Sequence, residues 1–488
     1  MTASPASPAA SPAASPQQPE TFDAIIIGVG QAGNPLATAL SRAGWRTAVI
    51  ERRFVGGTCV NDGCTPTKTM IASGRVAYLA RRAADYGVHT GPVAVDLGEV
   101  RRRKQAIVDG MRSGIHDRLR GLAGVELIYG EAQFDRPLAA PHAVTVTLRD
   151  GGVRRLSAPT VFINSGARPS PPAIAGLDAV PYCDSTTIME LAELPDHLLV
   201  LGGGYIGLEF GQLFRRLGSR VTIVQRGPQL VPREDADIAA ALTAILGEDG
   251  IDVLLETEAV RVEQGAAGQI VLTLRERGQG GAGERQITGS HLLVATGRTP
   301  NTERLNLPAA GVACDDQGYI RVNERLETTA AGVYALGDVK GGPAFTHIAY
   351  DDYRIVCANL LGGPPRTTAD RLVPYTIYTD PELGRVGLSQ KEAQQGGRRV
   401  RVASMPMNYV ARANEMGESR GLMKALVAAE SDEILGCAVL GVMGGELMAL
   451  IEVAMLGKLP YTALRDGVFA HPALAESLNT LFDKLEKR

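Results

Sequence analysis

The sequence predicts an α/β protein with two dinucleotide-binding Rossmann-like domains followed by a C-terminal α+β domain. Two strand–turn–helix–strand units with glycine-rich turns support the two Rossmann-like domains. Strand patterns at 421–428 and 433–440 and a helix pattern at 446–456 support the third domain. A chain of 488 residues also exceeds what one core accommodates and suits about three domains.

The first unit begins with an apolar strand at Ala24–Ile27 and enters the turn that contains Gly28, Gly30 and Gly33. A helical pattern follows, and a second strand at 47–50 ends at Glu51. Glycines let the backbone approach a pyrophosphate, and the helix N-terminus offers it N–H groups and a positive dipole. Glu51 lies 21 residues after Gly30, close to the spacing of a carboxylate that binds a ribose. Together these features predict a dinucleotide site.

A second unit of the same kind follows. Its strand lies at His197–Leu201, and its predicted helix spans 208–217. The turn between them contains Gly202, Gly204 and Gly207. The next strand, Arg220–Val224, ends at Gln225 and Arg226, where an acidic residue would favour NAD. A missing acid beside an arginine suits the 2′-phosphate of NADPH, with NADH as the alternative.

Two cysteines, Cys59 and Cys64, lie five residues apart after the first unit, and Lys68 follows four residues later. Such a pair can form a small disulfide loop that opens and closes with a two-electron change. Structural zinc needs four ligands at short spacings, but the nearest histidine is His89 and the sequence has no second close cysteine pair. We therefore predict a redox pair and no metal site, with two inert buried thiols as the alternative.

Composition argues against several other classes of function. The net charge of −3 gives no reason to expect nucleic acid or membrane binding, and no apolar run reaches the ~18 residues that span a bilayer. Six cysteines are too few for a disulfide scaffold and favour a reducing compartment, which predicts a cytoplasmic protein. Residues 1–20 form an Ala/Ser/Pro tract without a signal-peptide pattern and are predicted to be a disordered tail.

Two dinucleotide units and one redox pair in the same chain predict an electron relay. One dinucleotide stays bound, while the other arrives and leaves. Flavin is the cofactor that accepts a hydride and also reacts with sulfur. We therefore expect FAD in the first unit and NADPH in the second.

On these motifs the chain resembles the group I pyridine nucleotide-disulfide oxidoreductases, the family of glutathione reductase, dihydrolipoamide dehydrogenase and mercuric reductase. The resemblance extends over about 22–482. It includes further motifs in the family's order, at 163–169, 293–301, 328–338 and 469–476. The cysteine loop and the segment 345–356 look most like the mercuric reductase-like branch, near the copper-reducing enzymes of reactive-chlorine resistance.

The resemblance implies an FAD-binding domain split between 21–160 and 293–366, an NAD(P)-binding domain at 161–292, and an interface domain at 367–488. In the interface domain, the predicted helix has apolar residues at 447, 450, 451 and 455, and Gly457 is its stop signal. The family forms two-fold dimers through this domain. We therefore expect a homodimer in which each active site borrows a histidine from the partner.

The resemblance also implies a set of cofactor-binding residues. Those implied for FAD are Gly28, Gly30, Gly33, Glu51, Gly57, Thr58, Lys68, Gly166, Asp338 and Thr346. Those implied for NAD(P) are Gly202, Gly204, Tyr205, Gly207, Gln225, Arg226 and Gly297. Among them, Tyr205 resembles the family's gating tyrosine, which swings aside to admit the nicotinamide.

Four further residues take catalytic roles by the same resemblance. Lys68 and Glu209 match the family's ion pair near flavin N5, where positive charge favours the reduced flavin. Cys64 would lie nearest the flavin and give a thiolate–flavin charge-transfer band. Cys59 would be the exposed thiolate that attacks the substrate, favoured by a nearby helix N-terminus and a protonated histidine.

The terminal motif bears on the substrate. His471 would protonate a leaving thiol, and Glu476 would orient its imidazole, which points to a low-molecular-weight disulfide. Mercuric reductases lack this motif and end in a cysteine pair that is missing here. A metal-ion reductase acting on Hg(II) or Cu(II) is therefore the first alternative. A redox-sensing flavoprotein is the second, although a sensor has no need of an acid catalyst.

Overall fold

The computed structural model describes residues 18–135, 141–277, 283–369 and 371–485. Most of the predicted tail at 1–20 lies outside the described residues, and its last residue begins the first strand. Within the described ranges, no helix is both long and apolar enough to cross a membrane.

The strands, in chain order, are β1 (Glu20–Thr21), β2 (Ala24–Ile27), β3 (Thr47–Glu51), β4 (Val125–Phe134), β5 (His142–Leu148), β6 (Val153–Ala158), β7 (Thr160–Ile163), β8 (Ala167–Pro169), β9 (His197–Leu201), β10 (Arg220–Val224), β11 (Ile251–Leu254), β12 (Thr257–Gln264), β13 (Ile270–Glu276), β14 (Glu284–Gly289), β15 (His291–Val294), β16 (Arg298–Pro300), β17 (Val333–Ala335), β18 (Tyr375–Ile377), β19 (Glu382–Gly387), β20 (Val400–Pro406), β21 (Leu422–Ala428) and β22 (Ile434–Gly441). The helices are α1 (Gly33–Arg42), α2 (Gly57–Asn61), α3 (Cys64–Arg81), α4 (Leu97–Arg120), α5 (Tyr205–Leu217), α6 (Ala236–Glu248), α7 (Thr346–Leu360), α8 (Gln390–Gln395), α9 (Ala411–Glu415), α10 (Gly444–Leu456), α11 (Tyr461–Arg465) and α12 (Ser477–Asp483).

The described residues form two compact units. The first draws on 1–55, 115–166 and 300–368, and the second on 56–114, 167–299 and 369–488. The segment 56–114, which carries both cysteines of the predicted redox pair, belongs to the second unit. The domain boundaries inferred from the sequence stay a prediction.

The first unit is built on a sheet of order β1-β6-β5-β4-β3-β2-β7-β17. Its centre is parallel, because β2 pairs in parallel with both β3 and β7. All four residues of β2, Ala24 and three isoleucines, are buried. A parallel strand covered on both faces reads as such an unbroken apolar run.

The second unit contains a parallel sheet, β11-β10-β9-β15, and an antiparallel sheet, β18-β19-β22-β21-β20. Its helices α3 and α5 pack tightly, since a Cβ added at Gly74 of α3 would lie 2.9 Å from Leu213 of α5. Met70 of α3 shares a buried core with Phe210 and Leu213 of α5. This packing sets the distance between the polar side chains that the two helices carry.

Helix α5 begins at Tyr205, three residues before the predicted start at Leu208. Gly204 is its N-cap, so the last glycine of the turn motif, Gly207, already lies in the first turn of the helix. A Cβ at Gly207 would lie 2.1 Å from the carbonyl oxygen of Gly202. The prediction was wrong because it treated the glycine turn and the helix as successive segments, whereas they overlap.

Helix α10 also departs from the prediction. It ends at Leu456 as expected, but its buried face consists of Gly444, Leu447, Met448, Ile451 and Ala454. Leu450, one of the apolar positions of the predicted pattern, is 41% exposed, and Val453 and Leu456 are 66% and 65% exposed. The helix is apolar on two faces, and an apolar pattern alone cannot tell which face meets the core of its own chain.

Candidate functional site

The two cysteines lie at the junction of α2 and α3 in the second unit. Cys59 is half-buried within the short helix α2, and Cys64 is exposed as the first residue of α3. Because α3 has 18 residues, the positive end of a long helix lies at Cys64. A helix N-terminus also lies near Cys59, because α2 begins two residues earlier at Gly57. The expectation that Cys59 is the exposed cysteine was wrong, because its place inside α2 half-buries it, whereas Cys64 is exposed.

The loop between the cysteines is tied to α4. Asn61 donates from Nδ2 to the Gly57 carbonyl at 2.9 Å, and Arg112 of α4 donates from Nε to Asn61 Oδ1 at 2.8 Å. Arg112 also pairs with Asp109 at 3.1 Å. Sequence reasoning missed Arg112, because it lies 51 residues after Asn61 and no local pattern links them.

Lys68 and Glu209 are brought into direct contact by the packing of α3 on α5. The Lys68 ammonium donates to Glu209 Oε2 at 2.6 Å. The Glu209 side chain is 4% exposed and that of Lys68 30%. Burial disfavours the charged form of Lys68, but the attraction of Glu209 outweighs it and raises the pKa of Lys68. Loss of either partner would leave an uncompensated charge in a largely buried place.

Tyr378, which follows β18, completes this group and was not predicted. Its backbone N–H donates to Glu209 Oε1 at 2.9 Å, so both carboxylate oxygens of Glu209 are engaged. The Lys68 ammonium lies 4.8 Å from the centroid of the Tyr378 ring. No sequence signal marks Tyr378, because its partners on α3 and α5 are remote in the chain.

The first glycine turn lies at the carboxyl ends of β2, β3 and β7. Gly28 has φ +99°, and a Cβ there would lie 2.3 Å from the carbonyl oxygen of Asn164, which follows β7. Asn164 Oδ1 accepts the Gly33 N–H at 3.0 Å, a contact that the sequence did not suggest. Glu51 Oε2 accepts the Val29 N–H at 3.0 Å, and burial raises the pKa of Glu51.

The remaining residues expected to bind FAD are distributed between the two units. In the first unit, Gly166 follows β7, Asp338 lies in the turn after β17, and Thr346 is the first residue of α7. In the second unit, Gly57 and Thr58 open α2. The crevice at the carboxyl ends of parallel strands is where α/β sheets bind dinucleotides. Gly28 and Gly30 lie there, and close packing against Asn164 accounts for both glycines.

The second glycine turn contains one glycine that packing within the chain explains and one that it does not explain. A Cβ at Gly202 would lie 2.5 Å from the Ala295 carbonyl oxygen, so packing within the chain accounts for this glycine. Gly204 has an ordinary φ of −86°, and a Cβ there would meet nothing within 4 Å. Neither packing nor backbone strain explains Gly204, whereas a phosphate approaching the N-terminus of α5 does.

The other residues expected to bind NAD(P) lie around this turn or in the same unit. Gln225 Oε1 accepts the Gly203 N–H at 3.2 Å, so the side chain in the position of the missing acid faces the turn. Arg226 is exposed beside it. Tyr205, the first residue of α5, is 37% exposed. Gly297 has φ +159° and lies between β15 and β16.

His471 and Glu476 lie on the C-terminal segment between α11 and α12. His471 Nδ1 is 2.8 Å from Glu476 Oε2. The His471 side chain is 67% exposed, so its other ring nitrogen is accessible. This is the arrangement of an imidazole held in one orientation by a carboxylate.

Metal-ligand side chains are not clustered in the described ranges: no three His, Cys, Asp or Glu residues there are placed to hold a metal ion.

Comparison with known proteins agrees with this geometry. Residues 22–352 match the family described as pyridine nucleotide-disulphide oxidoreductase, and residues 373–482 match the dimerisation domain of the same family. The chain belongs to the pyridine nucleotide-disulphide oxidoreductases.

Two relatives and one solved structure illustrate the similarity. A probable pyridine nucleotide-disulfide oxidoreductase, RclA of Escherichia coli (strain K12), is 37% identical over 94% of this chain and 98% of its own. A mercuric reductase of Staphylococcus aureus is 34% identical over 95% of this chain and 83% of its own. The Cu(II) complex of the HOCl-induced flavoprotein disulfide reductase RclA from Escherichia coli superposes with a TM-score of 0.85, at 36% identity, over 95% of this chain and 99% of that one.

These findings confirm the predicted family and fold class, and they define the class of enzyme. The protein is a flavin-dependent oxidoreductase of the type that acts on sulfur groups, with FAD as bound cofactor and NAD(P)H as electron donor. Its C-terminal region is a dimerisation domain.

Proposed function

We propose that the protein reduces a low-molecular-weight disulfide with electrons from NADPH, and that it does so in the cytoplasm. The observation that carries the proposal is the hydrogen bond between His471 and Glu476. Reduction of a disulfide releases a thiolate, and a positioned imidazole that protonates it speeds that step. A metal ion that accepts electrons has no leaving group and needs no such acid.

In this proposal the cysteine pair, Lys68 and His471 have separate roles. When bound, FAD would supply the two-electron chemistry that connects NADPH to the Cys59–Cys64 disulfide. Lys68, fixed by Glu209, provides positive charge near Cys64. The Cys59 thiolate attacks one substrate sulfur, the substrate S–S bond breaks, and His471 protonates the departing thiolate. The Cys64 thiolate then attacks the Cys59 sulfur, the bond from Cys59 to the substrate sulfur breaks, and the second substrate sulfur leaves as a thiolate that solvent protonates, which re-forms the Cys59–Cys64 disulfide.

We further propose that the active form is a homodimer and that His471 acts on the Cys59 of the partner. Leu450, Val453 and Leu456 form an exposed apolar face on α10, within the region that matches the dimerisation domain. Large exposed apolar patches mark interaction sites. A second copy covering this face accounts for a helix that is apolar on both sides.

The preference for NADPH rests on Arg226. We expect Arg226→Glu to weaken NADPH binding by about 10–100-fold in KM while changing KM for NADH much less, because a carboxylate repels the 2′-phosphate. Steady-state kinetics with both nucleotides measure this. Arg220→Glu, at an exposed arginine at the opposite end of β10, is the matched control. Equal losses with both nucleotides would remove Arg226 from 2′-phosphate recognition.

A metal-ion reductase is the second candidate function. Two of the similar proteins are a mercuric reductase and a Cu(II) complex of a disulfide reductase. Thiolates such as those of Cys59 and Cys64 favour soft metal ions. Hg(II) or Cu(II) would then be the electron-accepting substrate.

The two functions are separated by anaerobic NADPH oxidation with a panel of low-molecular-weight disulfides, set against Hg(II) and Cu(II). We expect at least one disulfide to be turned over with a kcat/KM in the range usual for enzymes. That value should exceed the kcat/KM for either metal ion by more than about tenfold. The Cys59→Ser protein gives the background rate. Turnover with a metal ion and with none of the disulfides would overturn the proposed function.

A further inference from the structure

Tyr378 connects the redox pair to the C-terminal region of the same chain. It lies between β18 and β19, inside the segment that matches the dimerisation domain. Tyr378 contacts both members of the Lys68–Glu209 ion pair: its N–H donates a hydrogen bond to Glu209, and its ring lies near the Lys68 ammonium.

The segment that carries Tyr378 is held rigidly against α5. The Asp380 N–H donates to Gln212 Oε1 at 2.7 Å, and Gln212 Nε2 donates back to the Asp380 carbonyl at 2.9 Å. Arg216 of α5 also donates to the Asp380 carbonyl at 3.0 Å. Since Gln212 and Arg216 follow Glu209 on α5, the Tyr378 ring and the Glu209 carboxylate are positioned by one helix.

The aromatic ring, rather than the hydroxyl, is suited to act on Lys68. A cation within about 6 Å of a ring centroid is attracted by the negative face of the ring. Burial, with Glu382 nearby, raises the pKa of Tyr378, so its hydroxyl stays neutral at physiological pH. Glu209 and the ring therefore hold the Lys68 ammonium from two sides.

Cys64 lies one helical turn before Lys68, and negative charge on Cys64 contributes to raising the pKa of Lys68. We propose that Tyr378 is a positioning residue: its ring holds the Lys68 ammonium beside Cys64 and so favours the Cys64 thiolate. The inference rests on the roles proposed for Cys64 and Lys68, but it does not depend on the substrate.

Several ionisable groups surround Cys64. Cys59 on α2 and Asp62 precede Cys64 in the chain, and Lys68 lies on its own helix. Glu209 on α5 contacts Lys68, Glu382 acts on Tyr378, and Arg112 on α4 contacts Asn61 of the cysteine loop. Arg112 is paired with Asp109, and Glu209 is engaged by Lys68 and Tyr378. Lys68 is thus the cation whose placement the Tyr378 ring controls.

The test is the pH titration of the Cys64 thiolate in two forms of the protein. In the two-electron-reduced holoenzyme, the long-wavelength absorbance band reports the thiolate. In the reduced flavin-free protein, ultraviolet thiolate absorbance reports it, with Cys64→Ser subtracted. We expect Tyr378→Leu to move the midpoint upward by about 0.5–1 pH unit, a roughly three- to tenfold loss of thiolate below the midpoint. Tyr378→Phe keeps the ring, so its thiolate population below the midpoint should stay within about twofold of that of the wild type.

Two further variants separate a ring effect from damage to the fold. A fluorinated phenylalanine at 378 keeps the shape but weakens the negative face, and it should fall between Phe and Leu. Tyr409→Leu removes a ring that lies 4.7 Å from the ammonium of Lys484, a pair of the same chemistry, and should leave the titration unchanged. A midpoint that is the same in the Leu, fluorinated and wild-type proteins would overturn the inference. So would a Phe variant that behaves like the Leu variant.

Discussion

Replacement of Cys59 by serine is expected to lower disulfide turnover by on the order of 10³-fold or more, because the thiolate is the nucleophile toward a disulfide. The same variant should keep the long-wavelength absorbance of the two-electron-reduced enzyme. Replacement of Cys64 by serine should abolish that absorbance. The expected difference follows from position: Cys64 opens α3 one turn before Lys68, whereas Cys59 is half-buried in α2.

Anaerobic reductive titration and steady-state kinetics measure the two effects. Cys183→Ser is the matched control, since Cys183 is a half-buried cysteine of the same unit whose pKa is raised by burial. It should change neither turnover nor absorbance. If the band were lost with Cys59 and retained without Cys64, the roles of the two thiols would have to be exchanged.

His471→Ala is expected to slow disulfide turnover by about 10²–10⁴-fold, because the first thiol then leaves as an unprotonated anion. Flavin reduction by NADPH precedes that step and should change little. Reduction of Hg(II) or Cu(II) should also survive, since no leaving group needs a proton. Stopped-flow measurement of flavin reduction, combined with steady-state turnover of each acceptor, resolves the three rates.

Two variants accompany this experiment. Glu476→Gln should give a smaller loss than His471→Ala, because it weakens the 2.8 Å contact that orients the imidazole without removing the acid. His89→Ala alters another exposed histidine and should be silent. Full disulfide activity in His471→Ala would contradict the disulfide-reductase proposal. Loss of flavin reduction as well would assign His471 a structural role.

Much of the first glycine turn was predictable because its chemistry is local. Strand β2, Gly28 and Glu51 belong to one strand–turn–helix–strand unit, and the Val29 N–H donates a hydrogen bond to Glu51 within that unit. The start of α5 was misplaced because Gly207 serves both the turn and the helix.

Contacts between distant segments were not predictable in the same way. The pairing of Lys68 with Glu209 came from a family resemblance, and nothing in the local pattern of α3 or α5 required it. Tyr378 and Arg112 were missed, although they touch Glu209 and the cysteine loop. Tyr378 follows the short strand β18 and Arg112 lies on α4, and the sequence of neither segment indicates a contact with the site.

The sequence by itself determined the class of this protein: two glycine turns, a cysteine pair and a terminal histidine–glutamate pair in a definite order. Those signals are short-range, since each depends on residues within one turn of chain or one strand–turn–helix unit. The tertiary structure alone decided which face of α10 is buried, which glycine is left open to a ligand, and which side chains surround Lys68. These outcomes depend on packing between elements far apart in the chain, and a single sequence carries no period or spacing that records them.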